Sequence, residues 1–331
     1  MIKKSLSVAV VGAGAWGTAL ATVAGRAGHD VLLYSRNREI AELLNRARSH
    51  PRLPQAIFPP SLRVTATDAD LQGRELWIFA TPAQALRAAA AFFSARLESD
   101  VPAIVAAKGI EINTGKFMID VLQEECPSVD PFILSGPSFA ADVIAGKPTA
   151  VTLAGRDLSR VLDLAAALSS PAFRIYSSCD ILGVQLGGAI KNVLAIACGI
   201  SEGKGLGDSA RAALTTRAFT EMLRFGDALG ADRATLTGLS GLGDLILTCS
   251  SLQSRNFSFG IALGHDRSVS DLFPKNHATI EGIPTAKALM AISSRLSIEL
   301  PVCEMVNGIL ERRLTVDDAI GKLLARPLRV E

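Results

Sequence analysis

Cysteine, histidine and net charge are all scarce in this sequence. It has 5 cysteines and 4 histidines among 331 residues, and its 34 Lys plus Arg nearly balance its 32 Asp plus Glu. An odd number of cysteines without a CxxC pair argues against disulfides and structural zinc, and predicts reduced thiols in a cytoplasmic protein. The histidines lack metal-ligand spacing, so no metal is expected. The charge balance gives no electrostatic reason to expect nucleic acid or a membrane surface as a partner.

Long apolar runs are also missing. The apolar stretch that follows Lys3 and Lys4 leads directly into glycines, without the hydrophobic region or cleavage pattern of a secretory signal. No continuous run approaches the roughly 18 apolar residues that a membrane helix requires, so no membrane insertion is expected. With 49% hydrophobic residues the chain is expected to bury a large core, and its length predicts two domains.

The first half alternates short apolar runs with helical patterns. Strands are predicted at residues 6–11, 31–33, 76–80, 103–107 and 132–134, and helices at 17–27, 83–95 and 117–125. This alternation is typical of a doubly wound α/β fold with a mostly parallel sheet. Two more strands, at 150–154 and 173–176 around a helix at 158–168, are expected to extend the same sheet.

The pattern changes near residue 180. Beyond it the sequence predicts helices at 183–199, 209–229, 285–292 and 316–324, with few strand patterns. We therefore predict an α/β domain over residues 1–180 and an all-α, substrate-binding domain over residues 181–331. The boundary depends on this change of structural class alone.

A glycine motif follows the first predicted strand. Gly12-Ala-Gly14-Ala-Trp-Gly17 matches G-x-G-x-x-G between a strand and a helix. Such glycines allow a tight turn and bring a pyrophosphate close to bare backbone at a helix N-terminus. The motif predicts that domain 1–180 is a dinucleotide-binding Rossmann domain. The alternative is an ordinary glycine-rich turn.

The end of the second strand bears on cofactor choice. NAD-specific Rossmann domains usually have an Asp or Glu there that binds the ribose hydroxyls, whereas this chain has Ser35-Arg36. Arg36 can bind a 2′-phosphate, which favours NADP and leaves NAD open. A solvated surface arginine is the alternative.

Lys191 is the strongest candidate for acid–base chemistry. Nearly all its neighbours in a predicted helix are apolar, and Gly187 and Gly188 precede it by one helical turn. We expect the glycines to leave room for a ligand beside the ammonium, and burial to lower the lysine pKa towards the range useful for proton transfer. The alternative is a lysine at a helix edge with its charged end in water.

Other polar segments follow predicted strands or interrupt helices. Lys108-Gly109 and residues 135–140 each follow a strand, at the edge where doubly wound folds bind ligands. Residues 238–244 form a glycine-rich loop ending in Asp244, and Ser254-Arg255-Asn256 offers donors suited to a phosphate. The alternative for this trio is a helix cap beside a surface arginine.

Together these segments resemble the bacterial NAD(P)-dependent glycerol-3-phosphate dehydrogenases over essentially the whole chain. The most specific are Leu-Ser-Gly-Pro-Ser-Phe-Ala, at residues 134–140, and Gly-Val-Gln-Leu-Gly-Gly-Ala-Ile-Lys-Asn-Val, at residues 183–193.

The resemblance implies that Lys191 is the proton donor or acceptor at the C2 oxygen. The implied substrate contacts are Lys108, Gly136, Ser138, Lys191, Asp244, Ser254, Arg255 and Asn256. With the glycine motif, the cofactor set is Gly12, Gly14, Trp16, Gly17, Arg36, Lys108, Ala140, Arg255, Thr279 and Glu281. Ala15 and Thr279 depart from the usual family residues, serine and an aliphatic, which leaves fine cofactor preference open.

The activity that the resemblance implies is interconversion of sn-glycerol 3-phosphate and dihydroxyacetone phosphate by hydride transfer at C2, with NADP or NAD. The expected role is supply of the glycerol phosphate backbone of phospholipids, and a homodimer is expected. One alternative is a dehydrogenase for another hydroxy acid, such as 6-phosphogluconate, a β-hydroxyacid or ketopantoate. The other is a nucleotide-sensing protein without turnover.

Overall fold

Eight strands form one sheet in the computed structural model of the chain, which describes residues 5–53, 57–272 and 280–327. The strands are β1 Ser7–Val11, β2 Asp30–Tyr34, β3 Leu62–Thr65, β4 Leu76–Phe79, β5 Pro102–Val105, β6 Asp130–Ser135, β7 Thr149–Ala154 and β8 Phe173–Ser178. Their order is β3-β2-β1-β4-β5-β6-β7-β8, and every neighbouring pair is parallel except β6 with β7. The α/β fold class is therefore confirmed, and β7 and β8 extend the sheet as predicted.

Two features of the sheet were not predicted. Strand β3 has four residues at the sheet edge, and its exposed Arg63 interrupts the apolar pattern. A short edge strand of this kind carries a weak sequence signal. The antiparallel direction of β7 also has no signal in its residues, because apolar strands look alike in either direction.

Both faces of the sheet are covered by helices and buried side chains. The helices are α1 Ala15–Arg26, α2 Arg38–Ala47, α3 Leu86–Phe93, α4 Met118–Glu125, α5 Ala140–Ile144 and α6 Leu158–Leu168, with short 3₁₀ turns at Asp68–Leu71, Ala83–Ala85 and Ser94–Arg96. In β1, Val8 and Val10 point into one apolar core, and Ala9 and Val11 point into the other. Alternate side chains of a strand face opposite sides, so a strand buried on both faces is continuously apolar.

The chain divides into two compact units. The first comprises Met1–Lys108 and Phe117–Gln185, and the second comprises Gly109–Lys116 and Leu186–Glu331. Beyond β8 the described residues form helices α7 Ile181–Gly203, α8 Asp208–Leu229, α9 Arg233–Thr237, α10 Asp244–Cys249, α11 Arg255–Gly264, α12 Val269–Leu272, α13 Gly282–Leu296, α14 Pro301–Leu310 and α15 Val316–Leu324. The functional boundary at residue 180 stays a prediction.

Glycines bring α7 and α11 into backbone contact. A Cβ atom on Gly199 would lie 2.1 Å from the carbonyl oxygen of Phe257, and one on Gly260 would lie 2.2 Å from that of Ile196. Gly203 and Gly264 repeat the contact one turn further along each helix. Since no side chain fits between the helices, larger residues at these positions would force them apart.

Helix α7 is long and apolar enough to span a membrane, although polar residues interrupt its sequence. It has 23 residues and a most apolar window of mean hydropathy 1.6, of which 89% is buried within the protein. This burial is typical of the core helix of a soluble protein. The sequence interpretation predicted a largely apolar helix here but no run of membrane length, because polar residues such as Gln185 and Lys191 interrupt it.

A second buried ionisable group, Glu221 of α8, meets the start of α14. Its carboxylate accepts hydrogen bonds from the backbone N–H groups of Val302 at 2.6 Å and Cys303 at 3.2 Å. Burial raises the pKa of Glu221 from 4.5 to about 7, against the opposing effect of these hydrogen bonds. The folded chain therefore holds a proton on Glu221 in a pH range where the unfolded chain has lost it.

This difference predicts a pH-dependent stability. The contribution of Glu221 is complete below the unfolded pKa of 4.5 and is lost as the pH rises through the folded pKa of about 7. The loss is on the order of 3 kcal/mol in free energy of unfolding. We expect Glu221→Gln to remove this part of the pH dependence when urea unfolding, followed by circular dichroism, is compared at about pH 5 and about pH 8.

The matched control is Glu304→Gln, which changes an exposed carboxylate on α14. It should keep the wild-type pH dependence. Equal pH dependence in wild type and Glu221→Gln would contradict the assignment to Glu221.

Candidate functional site

The glycine motif forms the turn between β1 and α1. Gly12 has a φ of +112°, and a Cβ atom there would lie 3.0 Å from the carbonyl oxygen of Ala80. A Cβ atom on Gly17 would lie 1.9 Å from the carbonyl oxygen of Gly12, whereas one on Gly14 would meet nothing within 4 Å. Gly12 and Gly17 are thus required for the turn itself, and Gly14 leaves open space at the start of the helix.

The N-terminus of α1 provides donors for an anion. Gly14 is its N-cap, no side chain caps the helix, and its first turn contains no acidic residue. The uncapped N–H groups and the helix dipole together favour a phosphate there. The indole Nε1 of Trp16 is buried without a hydrogen-bond partner in the part of the chain that the structure describes. These residues fit the pyrophosphate and sugar of a dinucleotide.

The residues after β2 are compatible with either dinucleotide. Ser35 is buried, and its hydroxyl donates to the carbonyl oxygen of Asn37 at 3.0 Å. Arg36 is exposed, and no carboxylate occupies this position. A guanidinium here can bind a 2′-phosphate without excluding a ribose that lacks one.

A second set of predicted residues meets at the carboxyl edge of the sheet. The ammonium of Lys108, beyond β5, donates to the carbonyl oxygen of Gly136 at 2.8 Å, and the hydroxyl of Ser138 donates to the same oxygen at 3.0 Å. Gly136 has a φ of +138°, and a Cβ atom there would lie 2.9 Å from Cα of Val151. Ala140 begins α5, directly after this loop. The structure therefore brings Lys108, Gly136 and Ser138 together within the first unit.

Lys191 lies on α7 in a buried polar cluster of the second unit. Only 7% of its surface is exposed, and its Nζ donates to Oδ1 of Asp244 and, at 2.9 Å, to Oγ1 of Thr248. The Thr248 hydroxyl in turn donates to Oδ1 of Asp244 at 3.3 Å. Asp244 has no exposed surface. The cluster joins a cation, a carboxylate and a hydroxyl away from water.

This environment acts on the charge of Lys191 in two opposite directions. Burial favours the neutral amine, whereas the adjacent carboxylate of Asp244 favours the ammonium form. The sequence predicted a lowered lysine pKa and did not predict the opposing effect of Asp244.

Backbone packing determines where Asp244 lies. A π-helical turn, Leu239–Gly243, precedes α10, and its Ser240 carbonyl oxygen would lie 2.5 Å from a Cβ atom on Gly187. The expectation that Gly187 leaves room for a ligand was therefore wrong, because this turn fills the space. The missing side chain instead allows the backbone before Asp244 to pack against α7. Irregular helical turns of this kind are common at functional sites.

Asn256 connects three helices beside the cluster. Its Nδ2 donates to Oδ1 of Asn192 at 2.9 Å, and its Oδ1 accepts from the N–H of Gly282 at 3.0 Å. A Cβ atom on Gly282 would lie 2.7 Å from the carbonyl oxygen of Asn192. The amide of Asn256 thus joins α7, α11 and the start of α13.

Ser254 caps α11, which was the alternative interpretation of its role. Its hydroxyl accepts from the N–H of Phe257 at 3.2 Å, and the adjacent Arg255 is exposed. An N-terminus with a neighbouring guanidinium also suits a phosphate, so the cap and the predicted contact are compatible. Glu281 immediately precedes α13. Thr279 lies outside the described residues.

The sequence interpretation omitted Thr248 and Asn192 from the site. Thr248 follows Asp244 by four residues, so both side chains lie on one face of α10. That spacing was the available signal. Asn192 follows Lys191 directly, and its partner Asn256 is 64 residues away, for which the sequence gives no sign. Among the described residues no group of three or more His, Cys, Asp or Glu side chains could hold a metal ion.

A Rossmann unit and a helical unit with a buried lysine define the class of two-domain, nicotinamide-dependent dehydrogenases. The sequence matches the family models described as NAD-dependent glycerol-3-phosphate dehydrogenase N-terminus, over residues 7–161, and C-terminus, over residues 180–321.

Individual relatives agree with the family models. The glycerol-3-phosphate dehydrogenase [NAD(P)+] of Bradyrhizobium diazoefficiens is 49% identical over 325 residues, 98% of each chain. That of Maricaulis maris is 48% identical over 326 residues, again 98% of each chain. The crystal structure of glycerol-3-phosphate dehydrogenase from Coxiella burnetii superimposes with a TM-score of 0.93 at 36% identity, covering 97% of this chain and 99% of the other. The chain belongs to the NAD-dependent glycerol-3-phosphate dehydrogenase family.

The two glycines of the motif are predicted to respond differently to substitution. Gly17→Ala should destabilise the first unit, because its Cβ would overlap the Gly12 carbonyl at 1.9 Å. Gly14→Ala should leave the melting temperature without cofactor unchanged. It should weaken dinucleotide binding by about tenfold or more, since its Cβ would occupy the open space at the helix N-terminus.

Thermal unfolding of the free protein and titration of NADH fluorescence check both expectations. Gly14→Ala with wild-type affinity would show that no phosphate approaches this position. Gly28→Ala is a poor control because Gly28 has a φ of +95°. Gly321→Ala is the better control, since it adds a Cβ atom at an open position of α15 in the second unit.

Proposed function

We propose that this chain interconverts sn-glycerol 3-phosphate and dihydroxyacetone phosphate by NAD(P)-dependent hydride transfer at C2. The observation that carries the proposal is the buried cluster of Lys191, Asp244 and Thr248, in a chain that belongs to this dehydrogenase family. Carbonyl reduction needs a proton donor at the developing alkoxide, and alcohol oxidation needs a base at the same oxygen. A buried lysine held by a carboxylate can perform both.

The reaction divides its work between cofactor and protein. When bound, the dinucleotide supplies or accepts the hydride. Lys191 donates its proton to the C2 oxygen during reduction and removes it during oxidation. Asp244 and Thr248 hold the Nζ of Lys191 in a fixed direction, and Asp244 stabilises the ammonium before proton transfer.

The substrate phosphate is assigned to the start of α11. Ser254 and Arg255 provide a helix N-terminus and a guanidinium there, and Asn256 holds that terminus against α7 through Asn192. Lys108, Gly136 and Ser138 remain predicted substrate contacts. Lys108 supplies a further positive charge that favours an anionic substrate.

The dinucleotide is assigned to the first unit, with NADP or NAD as the cofactor. Gly12, Gly14 and Gly17 form the phosphate turn, and Trp16, Ala140 and Arg36 are the further predicted contacts there. Arg255 and Glu281 are predicted contacts from the second unit, and Thr279 stays a prediction from sequence. The exposed guanidinium of Arg36 favours a 2′-phosphate, so we infer that NADPH is bound at least as well as NADH.

The proposed biological role is supply of glycerol 3-phosphate for phospholipid synthesis by a cytoplasmic homodimer. The scattered, reduced cysteines support a cytoplasmic location. Size-exclusion chromatography with light scattering tests the homodimer.

Family membership favours this substrate over the other hydroxy acids. An assay that follows the absorbance of reduced nicotinamide, with dihydroxyacetone phosphate and with ketopantoate, distinguishes the two substrates. Binding of the cofactor without its oxidation by either substrate would indicate a sensing protein.

Lys191→Ala is expected to lower kcat by on the order of a thousandfold and to leave cofactor affinity unchanged. The reason is that loss of a positioned acid–base group typically lowers the rate by about a hundredfold to ten-thousandfold. Lys287→Ala, which removes an exposed lysine from α13, is the matched control and should retain full activity. Steady-state kinetics in both directions provide the measurement. Near-wild-type kcat in Lys191→Ala would overturn its assignment as the acid–base group.

Arg36→Asp is expected to separate the two cofactors. Replacing the guanidinium with a carboxylate should raise KM for NADPH by about tenfold or more, through repulsion of the 2′-phosphate, while KM for NADH stays the same or falls. Parallel assays with both cofactors measure the change. Arg38→Asp, at an exposed arginine two positions further on, controls for charge alone. Equal effects on both cofactors would contradict the proposed 2′-phosphate contact.

A further inference from the structure

A half-open cavity of about 480 Å³ lies in the second unit, and Leu206 and Leu324 of its lining are exposed to solvent. Its lining does not include the Lys191 cluster. Helices α7, α8, α14 and α15 line it, mainly with aliphatic side chains such as Ile200, Leu214, Val306, Ile320 and Leu323. Its volume is in the range of small-molecule binding sites, which are mostly apolar with a few placed polar groups. Nothing in the proposed dehydrogenase reaction uses it.

The lining changes from apolar to polar along α8. Ala210, Ala213 and Leu214 contribute to it near the start of the helix, and the polar residues Arg217, Thr220, Glu221 and Arg224 follow them along it. The distance from Ala210 to Arg224 along the helix axis is about 21 Å, at 1.5 Å per residue. A molecule that matches this lining has an apolar chain at one end and a polar head at the other.

The polar end carries an excess of positive charge. Arg224 donates to the carbonyl oxygen of Glu299 at 2.6 Å, and Arg326 forms an ion pair with the Glu299 carboxylate at 3.2 Å, so both arginines lie at the same end. With Arg217, three guanidiniums line the cavity there, and two carboxylates oppose them, Glu221 in the lining and Glu299, which pairs with Arg326. Glu221 accepts two backbone N–H groups of α14, which offset its charge. An anionic head is therefore the complementary ligand group.

We propose that this cavity binds one single-chain amphiphile of the fatty-acid type. Its aliphatic chain lies along Ala213, Leu214 and Ile320, and its carboxylate is bound at Arg217 and Arg224. Burial of the chain supplies most of the affinity, and the guanidiniums select the anionic head.

The test is calorimetric titration of the full-length protein with dodecanoate below its micellar concentration. We expect one molecule bound per chain. Ala213→Trp places a large side chain in the cavity and should weaken binding of dodecanoate by about tenfold or more. Ala212→Trp is the matched control. It changes the adjacent exposed residue, which is outside the lining, and should leave binding unchanged. Both variants should keep the wild-type circular dichroism spectrum and a cooperative thermal unfolding transition. This shows that they are folded and keeps the binding result independent of the proposed catalytic function.

The head group is tested separately. Arg217→Gln should weaken dodecanoate by about tenfold and leave the binding of dodecan-1-ol unchanged, because only the carboxylate needs the positive charge. Three results would overturn the proposal. The first is no binding of dodecanoate to the wild type, and the second is equal binding in Ala212→Trp and Ala213→Trp. The third is a dimer, detected by light scattering, that dissociates in Ala213→Trp and not in Ala212→Trp. The last would identify the cavity as a contact between two copies of the chain.

Discussion

The buried ion pair between Lys191 and Asp244 is the constraint that organises the second unit. Taking two such charges out of water costs several kcal/mol per ion, and loss of either partner would leave the other uncompensated. Their close contact and the Thr248 hydroxyl offset that cost. The pair forms only if the backbone before α10 reaches α7, which explains why the π-helical turn Leu239–Gly243 packs directly on Gly187. The position of the carboxylate thus depends on the absence of a side chain one turn before the lysine.

The same physical device recurs wherever the chain must place a polar group accurately. Gly199 and Gly260 bring α7 and α11 into backbone contact, which fixes the N-terminus of α11 and its cap Ser254. In the first unit, Gly12 and Gly17 bring the turn against β4 and α1, so that the N–H groups of α1 face open space at Gly14. Backbone-to-backbone packing is stiffer than contact through long side chains, because it involves no rotamers. Rigid scaffolding of this kind is what a positioned acid–base group or anion site requires.

The sequence predicted the fold well where burial produces a regular pattern, and the site less completely. Strands such as β1 are buried on both faces and read as continuous apolar runs, whereas β3, at the edge with an exposed Arg63, does not. Lys191 and Asp244 were recognisable as polar residues in apolar or glycine-rich surroundings. Their direct contact, the role of Thr248 and the packing use of Gly187 were not, because each depends on which parts of distant helices meet. Composition and spacing describe one segment at a time, and these features belong to pairs of segments.

The pairing of Lys191 with Asp244 is also what the proposed chemistry asks of this position. A lysine buried alone would tend to be neutral and could not donate a proton to the substrate oxygen, and an exposed lysine would stay charged and could not act as a base. Burial favours the neutral amine, and the adjacent carboxylate favours the ammonium form. Reversible carbonyl chemistry needs both forms of one group in turn. The geometry therefore supports the proposal that a single residue, Lys191, transfers the proton in both directions, with Asp244 as its ion-pair partner.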